Sequence, residues 1–350
     1  MTTNRPAELE LTGLHHVSSI TGDTRLNRDF YTRALGLRLV KKTVNQDATD
    51  VYHLFFADGV GSAGTDVTFF DFPGWPKNIA GRGEINEIAL RVPGQAALDW
   101  WKDRFDRFAI DHDGFTTRAG FAALPFRDPE GQRLALIDEG DSPAIPGGIP
   151  WDKATVPVEF AIRGLGAVTI STMRPDSTLA VLTDILGFRI VSDTSDPAVP
   201  GDREVVLETG PGGPGSYLIV QVRPNDTSAR QGAGGVHHVA FRVPTFEAHD
   251  AWNEYLQSAG FHVTPVIDRF YFKAMYFREP GGVLYEISSD GPGFIEKGET
   301  LDTLGERLAL PPFLEPQRAQ IEASIKPLDT SQRITTTEYG EPVIEDGVPA

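Results

Sequence analysis

The segment Leu35-Gly36-Leu37-Arg38-Leu39-Val40 recurs 151 residues later in the chain as Leu186-Gly187-Phe188-Arg189-Ile190-Val191. The same offset aligns Arg91-Val92-Pro93 with Arg242-Val243-Pro244, and no gap is needed between these points. A register that holds across most of both halves is typical of an internal duplication. The sequence therefore predicts two similar halves that can be compared position by position.

Each half divides again into two similar quarters. Every quarter begins with a short strand of alternating polarity, continues into a helical stretch and ends in strands separated by Gly and Pro turns. This order predicts four βαβββ modules, near Leu14–Pro73, Glu84–Asp138, Gly164–Val222 and Gly235–Ser288. We therefore expect an α+β fold in which the four modules form two cup-shaped mixed sheets.

Helices and segment boundaries follow from the same pattern. Trp, Leu and Phe recur at helical spacing in Gln95–Phe108 and in Phe246–Gly260, which predicts the helices of modules two and four. The segments are predicted as residues 11–140 for the first pair of modules, a Pro- and Gly-rich linker at 141–158, residues 159–290 for the second pair, and a tail at 291–350. The tail contains one predicted short helix, Glu315–Ile325, before an acidic end whose composition indicates partial disorder.

Composition narrows the class of partner and of site. The chain of 350 residues has a formal net charge of -17, which disfavours binding to nucleic acid or to an anionic membrane. It contains no cysteine, so a metal would have to be held by His and carboxylate side chains. No signal peptide and no long apolar segment occur, so we expect a cytoplasmic protein with a small-molecule partner.

Two His-His pairs, His15-His16 and His237-His238, lie in the first strands of modules one and four. Strict alternation along a strand puts His237 on the same face as Val239, which is the face that packs on helices. It puts His238 on the opposite face, and it separates His15 from His16 in the same way. The second histidine of each pair is therefore predicted to point into a cup.

A carboxylate is predicted on the same inner face. In the last strand of module four, Glu286 lies on the opposite face from Tyr285. Burying an unpaired carboxylate costs several kcal/mol, and a divalent cation is the simplest compensation. Two imidazoles and one carboxylate form a facial triad that leaves coordination positions open on non-haem Fe(II). We therefore predict that His16, His238 and Glu286 bind one metal ion.

An alternative interpretation gives these residues a structural role, with Glu286 paired to an arginine such as Arg242 or Arg278. The duplicate positions offer no comparable set of ligands, because Ala167 corresponds to His16, Glu87 to His238 and Ala135 to Glu286. Only one of the two cups is therefore predicted to hold a metal.

The sequence resembles the vicinal oxygen chelate (glyoxalase/extradiol dioxygenase) superfamily, and within it the hydroquinone-type ring-cleaving dioxygenases. The segments that carry the resemblance are Leu14-His15-His16-Val17, the run from Phe30-Tyr31 to Asp47, Tyr52-His53-Leu54, Gly235-Val236-His237-His238, and Pro280-Gly281-Gly282-Val283-Leu284-Tyr285-Glu286. The run Leu39–Asn45 is specific to this branch, whereas the βαβββ pattern alone hosts many chemistries.

The resemblance implies an oxidoreductase whose Fe(II), with Mn(II) as an alternative, is bound by the same three residues in a cup shared by modules one and four. It implies a small aromatic diol, of the hydroquinone type or alternatively of the catechol type, and O2 as substrates, and a homo-oligomer is compatible with it. It also implies that His15, His237, Arg269 and Tyr276 support the ligands or contact the substrate. For Arg269 and Tyr276, simple packing in an aromatic stripe is the alternative.

Three further positions have simpler interpretations. His53 lies inside an apolar strand and is interpreted as a core histidine. Lys41 and Lys42 are interpreted as the solvated end of a strand, with a contact to a loop as the alternative that the resemblance suggests.

Two other functions stay open. One is a glyoxalase-type isomerase or lyase, which needs a fourth ligand, and the last strand of module one offers only Asp71 on the face of Phe69. The other is a non-enzymatic binding protein of the same fold, which would not need the metal triad.

Overall fold

The computed structural model describes residues 5–141, 143–295 and 299–330. The strands in these ranges are β1 Leu14–Thr21, β2 Arg38–Asn45, β3 Ala48–Ala57, β4 Asp66–Asp71, β5 Glu84–Val92, β6 Thr116–Arg118, β7 Phe121–Arg127, β8 Arg133–Asp138, β9 Leu165–Ser171, β10 Arg189–Ser195, β11 Arg203–Glu208, β12 Tyr217–Val222, β13 Gly235–Val243, β14 Ile267–Asp268, β15 Lys273–Arg278 and β16 Leu284–Ser289. The α-helices are α1 Thr24–Asp29, α2 Gly94–Phe108, α3 Pro175–Ala180, α4 Phe246–Ser258 and α5 Arg318–Ser324, with π-helical turns at Phe30–Ala34 and Val181–Ile185 following α1 and α3.

The strands form two curled eight-stranded sheets. The first has the order β14-β15-β16-β13-β1-β4-β3-β2 and therefore combines modules one and four. The second has the order β10-β11-β12-β9-β5-β8-β7-β6 and combines modules two and three. We call these sheets the first cup and the second cup. The predicted α+β fold with two cups is confirmed, and so is the pairing of modules one and four.

The helices pack on the outer faces of the sheets around a large apolar core. Helices α2 and α4 each bury a tryptophan completely, Trp101 and Trp252, and these residues correspond under the 151-residue offset. Helix α2 ends at Phe108 as predicted, whereas α4 ends at Ser258, two residues before the predicted end. Gly260 then adopts a left-handed backbone with φ of 89°, as expected of a helix stop.

The predicted strict alternation around the histidine pairs is wrong. Strands β1 and β13 pair antiparallel with register shifts beside His15 and beside His237, which are β-bulges. Because of the bulge, Val236 and Val239 both lie in the outer core, and the two histidines between them are both turned away from it. His237 therefore does not pack on the helices, and the same correction applies to His15.

The tail returns to the first cup instead of leaving the domain. Leu310, Leu314 and Ile321 pack against Val44 of β2. The predicted tail helix is found as α5, preceded by a 3-10 turn at Glu315–Gln317. The acidic end with predicted partial disorder lies at 331–350, outside the described residues.

This packing corrects the interpretation of the two lysines as a solvated strand end. Lys41 is fully buried and its Nζ contacts the Glu299 carboxylate, while Nζ of Lys42 donates to the carbonyl oxygen of Leu328 at 3.1 Å. Both lysines therefore hold the tail. Among the described helices, none is long and apolar enough to cross a membrane.

Candidate metal site

Three side chains converge at the centre of the first cup. Nε2 of His16 lies 3.3 Å from Nε2 of His238, and Oε2 of Glu286 lies 3.3 Å and 2.7 Å from these two nitrogens. Ligands that are neighbours around one ion, each about 2.1 Å from it, are about 3 Å apart. The three atoms thus stand at the spacing that a single small cation requires. Within the described ranges, no other group of three such side chains is arranged to hold a metal.

The pairing of the strands explains this convergence. His16 lies on β1, opposite Ala240 of the adjacent strand β13, and Ala240 also pairs with Glu286 of β16. His238 lies two residues before Ala240 on the same inner face. The three residues therefore come from three adjacent strands, and the contact between modules one and four brings them together.

The neighbouring histidines fix the orientation of the two imidazole ligands. Nε2 of His15 donates to the carbonyl oxygen of Ser289 at 3.1 Å, so its Nδ1 accepts from Nδ1 of His16 at 2.9 Å. This arrangement leaves Nε2 of His16 with a free lone pair toward the shared centre. Burial and the neighbouring His16 lower the pKa of His15 to about 3, so His15 is neutral at physiological pH.

His237 plays the equivalent role on the other side. Its Nδ1 lies 2.8 Å from Nδ1 of His238. For Nε2 of His238 to keep its lone pair, Nδ1 of His238 must donate, and the proton of His237 then resides on Nε2. Burial and the adjacent His238 lower the pKa of His237 to about 3.

Glu286 is completely buried, yet it is arranged to stay ionised. Its Oε1 accepts a hydrogen bond from Ser288 Oγ at 2.5 Å. Burial alone would raise the pKa of Glu286, but His16 and His238 hold this pKa well below its ordinary value. A buried anion between two imidazole nitrogens is the donor set that a divalent cation completes, so the residues fit a metal ion.

Neither arginine considered as a structural partner contacts this carboxylate. Arg242 forms a bidentate ion pair with Asp290 at 2.6 and 2.8 Å, and Nη1 of Arg278 donates to the carbonyl oxygen of Gly282 at 2.9 Å. The arginine-paired alternative for Glu286 is therefore not what the structure contains.

A cavity of about 370 Å³ opens above the three side chains. Aromatic and aliphatic side chains form much of its wall, and polar side chains line the remainder. The apolar lining residues are Val44, Phe55, Phe70, Phe72, Ile267, Tyr271, Phe272 and Leu284, and the polar ones include Ser18, Asn45, Gln46, His53, Thr264 and His237. A small aromatic ring fits such a site better than a sugar or a peptide does.

Arg269 and Tyr276 both line this cavity, as the resemblance implied. The Tyr276 ring meets the edge of His238 with centroids 5.5 Å apart, and the Arg269 guanidinium lies 5.7 Å from the Tyr276 ring centre. Burial, followed by the negative charge of Glu286, raises the pKa of Tyr276, so its hydroxyl stays protonated. Nη2 of Arg269 donates a hydrogen bond to Oδ2 of Asp47 at 2.9 Å, and this contact orients the guanidinium at the cavity wall.

Two residues near the triad were given no place in the site by sequence reasoning. His53, interpreted as a core histidine, lines the cavity, and its Nε2 lies 2.9 Å from Thr68 Oγ1. Thr68 in turn lies 2.7 Å from Ser18 Oγ. No local pattern signals these residues, because the hydrogen bonds that define them join three different strands.

Thr68 also occupies the position on β4 that corresponds to Glu286 on β16. Ser18 pairs with Thr68 on β4 as Ala240 pairs with Glu286 on β16, and each of these two residues lies two positions after a histidine of the triad. Thr68 is thus the counterpart of Glu286 across the cup. Asp71 lies on the opposite face of β4, the face of the core residue Phe69, and burial raises its pKa to about 6.

Comparison with known proteins assigns the family. A family model described as the Glyoxalase/Bleomycin resistance protein/Dioxygenase superfamily matches residues 13–136 and 164–287, which are the two halves of the duplication. The chain belongs to this superfamily.

Among curated relatives, Bacillus subtilis (strain 168) MhqA, which is named as a ring-cleaving dioxygenase, is 45% identical over 91% of this chain and 100% of its own length. The chlorohydroquinone/hydroquinone 1,2-dioxygenase of Sphingobium indicum is 30% identical over 87% of this chain and 92% of its own.

Solved structures agree on the fold. A crystal structure named as a dioxygenase from Bacillus subtilis superposes with a TM-score of 0.81 at 36% identity, covering 91% of this chain and 98% of that one. Glyoxalase I from Zea mays gives a TM-score of 0.58 at 14% identity, covering 79% of this chain and 92% of that one, which shows a shared fold alone.

Proposed function

We propose that this protein is a ring-cleaving dioxygenase that binds Fe(II) through His16, His238 and Glu286 and acts on a hydroquinone-type aromatic diol. The observation that carries the proposal is the identity of Thr68, because a neutral hydroxyl stands where a second carboxylate would complete a four-ligand site. Three protein ligands leave room on one face for a substrate oxygen and O2. The ring-cleaving dioxygenase names of MhqA and of the Sphingobium enzyme support the same reaction class.

The chain's own residues supply binding, orientation and exclusion of water. Bound Fe(II) would act as a template and Lewis acid for the diol and dioxygen. The aromatic wall, including Phe70 and Phe272, packs on the faces of the ring and keeps bulk water out. Nε2 of His237 carries a proton that it can donate within the cavity, and the Arg269 guanidinium stabilises negative charge that develops on the substrate. Both oxygen atoms of O2 end in the ring-opened acid, so no further reductant is needed.

The test is an oxygen-uptake assay on protein loaded anaerobically with Fe(II). We expect equimolar uptake of O2 with substituted hydroquinones, formation of a ring-opened acid, and slower turnover of catechol. A parallel assay measures turnover of a thiol–methylglyoxal adduct without oxygen, which is the reaction expected of the glyoxalase-type alternative. Turnover in the oxygen-free assay alone would reject the dioxygenase in favour of the isomerase, and binding of diols without turnover in either assay would favour a binding protein.

A further inference from the structure

His53 is held in place by two aromatic rings and one hydrogen bond. Its ring lies between Phe55 and Phe70, with ring centroids 4.0 and 4.2 Å away. Its Nε2 is fixed by Thr68 Oγ1 at 2.9 Å, and Thr68 is itself held by Ser18. Two aromatic contacts and one hydrogen bond leave the imidazole little freedom to rotate. The remaining ring nitrogen therefore has a defined direction.

That remaining nitrogen, Nδ1 of His53, has no hydrogen-bond partner among the described residues, although the ring lines the cavity. Burial keeps the pKa of His53 well below its ordinary value, so the imidazole is neutral. A neutral imidazole has one donor and one acceptor nitrogen. Whichever of its nitrogens carries the proton, Nδ1 is left to bond a hydroxyl group, which both donates and accepts.

The position of His53 in the sheet selects among ligands. Strand β3 is separated from β1, which carries His16, by strand β4. Two strand spacings correspond to about 10 Å between the backbones. A ligand that contacts both the triad and His53 therefore bridges side chains from strands that are not neighbours in the sheet. Among aromatic diols, the para arrangement places the second hydroxyl farthest from the first.

We propose that His53 binds the second hydroxyl of a para-diol whose first hydroxyl is at the metal, with Thr68 as the residue that positions the imidazole. The inference rests on the proposed function for the placement of the first hydroxyl. It assigns a specificity role to a residue of β3, outside the histidine pairs and the strand that carries Glu286.

The experiment measures binding, with no turnover. Metal-loaded protein is titrated without oxygen with hydroquinone and with phenol, which lacks the second hydroxyl. We expect the wild type to prefer hydroquinone by about tenfold, the value of one hydrogen bond. His53→Phe should reduce this preference to within about twofold, with phenol affinity and metal content unchanged. Thr68→Val preserves the side-chain volume and removes the hydroxyl that anchors His53, so it should also lower the preference for hydroquinone over phenol. The matched control Thr68→Ser keeps the hydroxyl and should keep this preference.

The outcomes separate this inference from the proposed function. Equal affinity of the wild type for the two ligands, or a preference that survives in both His53→Phe and Thr68→Val, overturns the role of His53. Should His53→Phe fail to fold, the contrast between Thr68→Val and Thr68→Ser decides the question. A wild type that prefers hydroquinone but consumes no O2 with any diol would reject the dioxygenase while leaving the binding role of His53 intact.

Discussion

The first and second cups have the same backbone arrangement and differ in the side chains on their inner faces. Both are built around an antiparallel pair of module-first strands, β1 with β13 and β5 with β9. Both pairs carry two β-bulges at corresponding positions, so His15 matches Gly166 and His237 matches Asn86. The bulges are therefore a property of the architecture, because they also occur in the cup whose described residues include no group of three side chains arranged to hold a metal.

The side chains of the second cup explain why the shared backbone arrangement does not by itself create a group of metal ligands. Ala135 and Ala167 lie in a small apolar cluster with Ile219, where the first cup has Glu286 and His16. Glu87 replaces His238, and its carboxylate is neutralised by Arg118 through bonds of 2.6 and 2.9 Å. The lone carboxylate of the second cup is thus paired with an arginine, whereas the carboxylate of the first cup lies beside two imidazoles in a set of side chains that could hold a metal ion.

The outer edges of the cups differ as well. Strand β2 is buried at every residue from Arg38 to Val44 because the tail covers it, whereas its duplicate β10 is exposed along its whole length. Tail contacts through Lys41 and Lys42 therefore reinforce the cup that carries the triad, and the second cup has no corresponding cover among the described residues.

The largest expected effect comes from removing the anionic ligand. Glu286→Gln should lower metal retention and should reduce the rate of oxygen uptake by more than about 100-fold, because the only carboxylate of the triad is replaced by a neutral amide. The fold should persist because the second cup packs without metal. Elemental analysis and thermal unfolding check both statements. A variant that keeps a full complement of metal would contradict the assignment of Glu286.

A second prediction compares two equivalent turns, one in each half. In the turn after β7, Asp128 accepts the backbone N–H groups of Glu130 and Gln132 at 2.9 and 2.8 Å. Burial raises the pKa of Asp128 to about 7. The Asp128 carboxylate also accepts a hydrogen bond from the Tyr31 hydroxyl at 3.3 Å. Its counterpart in the second half, Glu279, instead accepts a shorter hydrogen bond from Thr178 Oγ1 at 2.7 Å.

Because the folded pKa of Asp128 exceeds the unfolded value of about 3.9, its contribution to stability is greatest below about pH 4 and is lost as the pH rises to about 7. Asp128→Asn keeps an acceptor oxygen and does not titrate. Between pH 4.5 and 8, the free energy of unfolding of the wild type should therefore fall relative to this variant, by about 3 kcal/mol. Urea unfolding at several pH values measures the difference, and parallel curves for the two proteins would rule out this titration.

The smallest effect concerns the second cup. Glu87→Gln leaves the half-buried Arg118 without its ion pair and should reduce the free energy of unfolding by about 1 kcal/mol. Metal content and oxygen uptake should stay at the wild-type level, which makes this variant the control for Glu286→Gln. A loss of metal in Glu87→Gln would show that the two cups are coupled.

Several features follow from the sequence alone. The 151-residue register predicts the duplication, and module-level patterning predicts two cups. The positions of His16, His238 and Glu286 in their strands predict that all three side chains point into a cup. Because a buried, unpaired carboxylate is costly, the same sequence also predicts a metal ion between them. The sequence predicts strict alternation for the strands that carry the histidine pairs, and it does not predict the bulges that separate Leu14 from Val17 and Val236 from Val239 by three positions.

Tertiary structure alone decided the rest. Lys41 and Lys42 look solvated in their own strand and are buried because a tail more than 250 residues away in the chain packs over them. His53 looks like a core residue until Thr68 and Ser18, on two other strands, fix its orientation. In both cases the deciding contacts join segments far apart in the sequence, and local polarity carries no information about which distant segment will supply the partner.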